Sequence, residues 1–403
     1  MIGLVAFLGL AFDTGYLQLE QNRIQTAADG AAAAAVAEAA ASGTSSAITT
    51  SGKRGAALNG FTDGSGGVTV TINNPPTSGY YANQTGYIEA IVTQSVSTYF
   101  MGVVGQPTAT VKGRAVAKAG SGGPACIFAL DPSAAESFYM NGAFNLSGCG
   151  VQVNSTASSG TAAQNAAYMN GAYNVSLSSF NVVGGIYRGG AYNWLSPSPG
   201  PTTGASAISD PLAYKPEPTF GSSCTYTNFK LTGASNTTMS PGTYCGGIYL
   251  SGALNITLNP GLYVLAGGGL KIDNAAVNLT GTGVTFYNTS TSGYAYAPMQ
   301  MTAAANITLK APTSGSTEAM LFFQDRSAPS GSVNYIHGAT NATLEGAIYF
   351  PNQVLHLQGA SNGNYTVVVA DKVLFDGAMN LNSNYSSLAS GNPLHTGGAA
   401  FGE

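Results

Sequence analysis

The chain predicts an α+β N-terminal module, one long helix with a small antiparallel sheet, followed by a mainly-β domain wound as a parallel β-helix. Three observations carry this. Residues 2–12 are apolar and run without proline into an alanine-rich stretch ending at Ala41. Three segments between residues 68 and 117 partly alternate apolar and polar side chains. Beyond residue 125 one pattern recurs: an apolar residue, any residue, a small residue, Ala, any residue, then Asn.

Composition narrows the function classes. Charged residues make up 7% of the 403, against about 25% in an ordinary globular protein. Gly, Ser, Thr, Asn and Ala fill the gap, as in extracellular β-structures that cover their surface with hydroxyls and amides. The 22 Tyr and 16 Phe, with regular Val, Leu and Ile, argue against disorder. A net charge of −4 with 13 basic residues and no basic stripe argues against nucleic acid.

Residues 1–42 read as one helix, stopped by Ser42-Gly43. Its first part, residues 2–12, would be about 16 Å long, against a hydrocarbon core of about 30 Å. Alone it is too short to span. Leu4, Val5, Phe7, Leu8, Leu10 and Phe12 are the candidate membrane anchors, with Asp13 at the boundary. No Lys or Arg precedes them, and no secretory cleavage pattern follows. Residues 43–119 form the head, with strands expected at Val68–Asn73, Tyr87–Thr93 and Thr108–Ala117 and a short helix at Ser97–Val104. Gly120-Ser-Gly-Gly-Pro124 reads as a linker, residues 120–124.

Residues 125–403 form the repeat domain. The pattern ends at Asn145, Asn174, Asn236, Asn255, Asn306, Asn341, Asn362 and Asn380, with a one-residue-longer variant at Asn278. Spacing of about 18 to 35 residues suits one coil of a solenoid per copy. The apolar residue is expected to face the core, Gly-Ala to permit close approach, and Asn to make the corner in left-handed geometry. Stacked corners would align the amides into a hydrogen-bonded ladder. A β-sandwich is the competing architecture, weakened because hairpins favour Asn-Gly or Asp-Gly turns. The Pro-rich stretch from Ser196 to Pro218 reads as an excursion leaving the stack. Four cysteines fall as near pairs, Cys126/Cys149 and Cys224/Cys245, and proximity favours disulfides in that pairing. Each would close a loop of about 20 residues and contribute about 3 kcal/mol.

The string Gly9-Leu-Ala-Phe-Asp13-Thr-Gly15-Tyr, with Gln21-Asn-Arg23-Ile-Gln25-Thr-Ala-Ala-Asp29-Gly-Ala-Ala, resembles the N-terminal signature of TadG-like proteins of the tight-adherence (Tad/Flp) pilus systems. Tyr87-Ile-Glu-Ala-Ile-Val, Tyr99-Phe-Met-Gly-Val and Val111-Lys-Gly-Arg-Ala-Val-Ala117 resemble a later part of them. The resemblance implies a pilin-like module and a part in pilus assembly or adhesion. It implies the inner membrane and other Tad assembly proteins or pilins as partners, with the body in the periplasm or at the cell surface. Surface polysaccharide is a further candidate ligand for the repeats. Family members usually begin with a basic start and more apolar residues, so Met1 reads as an internal or late start. No catalytic residue is carried over, and no cofactor or metal is expected.

Two alternatives remain open. A filament subunit or tip protein would need prepilin processing, which wants a Gly followed closely by Glu; here the first glutamate is Glu20. A polysaccharide-active enzyme would need converging carboxylates. The nearest sets are Asp371/Lys372/Asp376 and Lys271/Asp273, without a paired Asp-Asp. His337 and His356 lie by repeat corners with no acidic partner at fixed spacing, and read as edge residues.

Overall fold

The computed structural model describes residues 2–40, 44–119, 125–196, 200–338, 342–358, 363–376, 378–394 and 399–401. The chain divides into two compact units, residues 1–121 with 390–403, and residues 122–389.

The first unit is built on α1 (Ile2–Ala40). Ala27, Ala28, Ala31, Ala32, Ala35 and Val36 recur at helical spacing and are buried. Their small side chains let other backbones come close. A second helix, α2 (Ser45–Leu58), was not expected from its Ser, Thr and Gly content. Thr44 caps it by accepting from the Ala47 amide at 3.2 Å. It crosses α1 so closely that a Cβ on Gly55 would lie 2.5 Å from the Gly30 carbonyl oxygen. The strands β1 (Val68–Asn73), β2 (Tyr87–Ser97) and β3 (Thr108–Ala119) pair antiparallel in chain order. The expected short helix is a single 3₁₀ turn, Met101–Val104.

Residues 390–403, grouped with the repeats on sequence, return to this unit. Ala399–Phe401 pairs antiparallel with β3, and the Asn392 amide donates to the buried Glu38 of α1. A three-residue strand carries too little periodicity to announce its partner.

The second unit is mainly β, and every pairing between its described strands is parallel. The apolar position of the repeat pairs like with like in one buried column: Leu250, Ile272, Met301, Ile336, Leu357, Phe375, Met140 and Met169. Leu231, partly buried, begins it. Residues 125–196 therefore stack after residues 366–376, although they come first in the chain. The disulfides are Cys126–Cys149 and Cys224–Cys245.

Two expectations are corrected. In four copies of the repeat the left-handed residue is the glycine and not the asparagine. Gly142, Gly171, Gly233 and Gly252 have φ of 100°, 121°, 92° and 113°, and no described repeat asparagine has positive φ. A Cβ on Gly171 would lie 2.1 Å from the Gly142 oxygen, so stacking as well as dihedral demands glycine. The Pro-rich excursion does not leave the stack but is pinned along it. Ser206 and Ile208 carbonyls accept from Gln152 (3.2 Å) and Asn154 (2.7 Å), and Asp210 accepts from the Tyr349 hydroxyl at 2.6 Å. Arg326 then holds Lys215 and Glu217, and Phe220 packs on Tyr287. The strap carries the chain from one end of the stack back to the other.

Candidate functional site

The N-terminal helix and the turn after β2 form the most distinctive surface of the first unit. Where β2 ends and the 3₁₀ turn begins, three successive backbone amides have no partner within that turn. The Asp13 carboxylate accepts from all three, Tyr99 at 3.0 Å, Phe100 at 2.8 Å and Met101 at 2.6 Å. Desolvation pushes this carboxyl up, but the amides of Met101, Tyr99 and Phe100 outweigh it and hold it below the usual carboxylate range. Asp13 was expected to mark the end of the apolar run; it also pins the helix to the head.

Aromatic rings surround this pin. Phe12 meets Tyr99 and Phe100 edge-on, with centroids 5.5 and 6.0 Å apart, and Tyr16 meets Tyr99 at 5.6 Å. A Cβ on Gly9 would lie 2.6 Å from the Phe100 ring, so glycine lets helix and ring touch. Packing leaves much of this cluster open to solvent: Phe12 is 55% exposed, Tyr99 61%, Phe100 46% and Val103 84%. Exposed aromatic and aliphatic side chains around a buried carboxylate make an uncharged collar.

Of the candidate anchors, Phe12 joins this collar. Leu4, Val5, Phe7, Leu8 and Leu10 are on the helical backbone of α1, and their side chains lie outside the described residues. Tyr99, Phe100 and Val103 were not singled out by sequence reasoning. The available signal was Tyr99-Phe-Met-Gly-Val103, an apolar string in a turn rather than a strand.

The asparagines of the repeat form the expected ladder where they are described. Asn255 donates to Asn236, Asn278 to Asn255 and Asn306 to Asn278, at 2.8, 2.7 and 2.8 Å. Asn145 and Asn174 pair in register, while Asn380 pairs with Ser147. The side chains of Asn145 and Asn380, and the whole of Asn341 and Asn362, lie outside the described residues. The charged candidates are rearranged. His356 has an acidic partner after all, Asp376, with Nε2 and Oδ2 2.5 Å apart. Asp371 lies beside Asp131, which stands just beyond the strand Ala125–Ala129 and whose amide donates to the Asp371 carbonyl at 2.9 Å; burial, then the Asp131 carboxylate, pushes Asp371 up. Lys271 and Asp273 form a loose pair at 3.7 Å.

Residues 1–41 match the family model described as "Tad: Putative Flp pilus-assembly TadE/G-like". The match covers α1, which carries Phe12, Tyr16 and the Asp13 pin, and not Tyr99, Phe100 or Val103. No curated protein and no solved structure matches the chain. Among the described residues no helix is long and apolar enough to cross a membrane.

Proposed function

We propose that this chain is a membrane-anchored, non-enzymatic component of a Tad/Flp pilus system that acts in pilus assembly or adhesion. The observation that carries the reading is the continuity of α1, whose apolar start lies within the matched residues 1–41 and passes into the packed alanine face of the head. In this reading the first turns enter the inner membrane and the collar of Phe12, Tyr99 and Phe100 rests at the bilayer–water interface, where amphipathic rings are favoured. The second unit is a parallel β-helix displayed outside that membrane. Its in-phase apolar column and asparagine ladder support this architecture, and its sparse charge suits contact with pilins, Tad assembly proteins or surface polysaccharide.

The test is fractionation of the native host after its pili are sheared off. Recovery in the membrane pellet, with residues 1–12 intact by mass spectrometry, is the expected result. Recovery in the sheared filaments with a shortened N-terminus makes the chain a filament subunit or tip protein instead.

A further inference from the structure

We propose that His337 and His356 form a binding site for a divalent transition-metal cation, with Zn²⁺ as its type. The site is independent of the pilus reading. It lies on the outer face of three parallel strands, Val333–Gly338, Thr343–Gln358 and Thr366–Asp376. Ile336 and Leu357 pair in register and point into the core, so Tyr335, His337 and His356 stand on the opposite face. Tyr335 pairs with His356 and His337 with Gln358, which makes the two imidazoles diagonal neighbours.

Their ring centroids are 5.0 Å apart. With Zn–N bonds of about 2.0–2.1 Å, two imidazoles on one ion have centroids about 5.2 Å apart at a tetrahedral angle and about 4.5 Å apart at a right angle. The observed spacing lies between these.

The protons are also placed for it. A carboxylate only accepts, so Asp376 requires His356 to carry its proton on Nε2, leaving the Nδ1 lone pair available. The Thr302 carbonyl accepts from the His337 ring. His337 Nε2 is buried and has no hydrogen-bond partner among the described residues. Metal-binding imidazoles are characteristically held this way, one nitrogen bonded to an oxygen and the other free. No set of three His, Cys, Asp or Glu among the described residues is arranged to hold an ion. Water would complete the coordination, and imidazole selects transition metals over Ca²⁺ or Mg²⁺.

The chain supplies its own control. It has three histidines, and all four cysteines are in disulfides. Titration of the full chain in detergent with Zn²⁺, followed by calorimetry, is expected to give one saturable site. His337→Ala and His356→Ala should each weaken it at least tenfold, Asp376→Asn by about 10- to 100-fold, and His395→Ala should leave it unchanged. Zinc X-ray absorption on the wild-type complex, which needs no variant to fold, should show scattering from two imidazoles. Absence of saturable binding, binding that follows His395, or a spectrum without imidazole would overturn the proposal.

Discussion

Gly171 and Asn278, from different copies, show how two positions of the repeat divide the labour of stacking. Asn278 links its neighbours by donating to Asn255 and accepting from Asn306. Such exposed bonds contribute about 1 kcal/mol each. Gly171 has φ of 121° and stands against the Gly142 oxygen. Gly171→Ala should therefore cost at least about 2 kcal/mol, from left-handed strain and from a clash with rigid backbone. Urea unfolding of the second unit checks this, and a loss below about 0.5 kcal/mol would mean that the bend relaxes easily. The asparagines were legible in the sequence, and so was their ladder. Their backbone role was not, because Gly and Asn both tolerate positive φ and stand three residues apart. What decides between them is the oxygen of the next strand, which a single copy of the repeat does not contain.

In the first unit, β2 carries a carboxylate buried at the sheet. Glu89 accepts from Asn73, Thr77, Ser78 and Arg114. Desolvation pushes it up, but the side chains of Ser78 and Asn73, the Thr77 amide and Arg114 prevail and lower it from 4.5 to about 2. A carboxyl depressed in the fold stabilises fully above its unfolded pKa, and this contribution is lost as pH falls through the folded value. The window runs from about pH 4.5 down to about pH 2. Glu89→Gln should be less stable than wild type at neutral pH and should lose less on acidification through that window. Urea midpoints of the helical circular-dichroism signal, which comes from α1 and α2, measure both. Equal losses in the two proteins would show that Glu89 does not drive the acid response. The sheet itself was readable: β1 begins and ends where its alternation does, and β2 and β3 run only a few residues longer. By contrast α2 was hidden, because its buried positions are Ile48, Ser51, Gly52, Gly55 and Ala56. Small residues that serve close packing leave almost no apolar periodicity.

At the scale of the whole second unit, the order of stacking is what the sequence conceals. Every copy of the repeat offers the same apolar, small and Asn positions, so any strand set could follow any other. The strap removes this ambiguity. Its proline content favours an extended path, and its partners on the stack fall in sequence from Asn154 through Tyr349 and Arg326 to Tyr287. Arg326 is the busiest of these. Its guanidinium donates to the Tyr349 hydroxyl at 2.8 Å and to the Leu212 and Lys215 carbonyls at 3.1 and 3.0 Å, while its amide donates to Glu217 at 2.7 Å. Arg326→Ala removes three charge-assisted bonds and leaves Tyr349 without a donor, at a cost of about 2–3 kcal/mol. The strap should then open while the stack remains, because the apolar column does not include it. Limited proteolysis should cut the variant between residues 200 and 218 much faster than wild type, with the β-sheet circular-dichroism spectrum retained. Cleavage at the wild-type rate would mean that the polar pins are dispensable, and that Phe220 and the turn at Leu212 suffice to hold the chain against the stack.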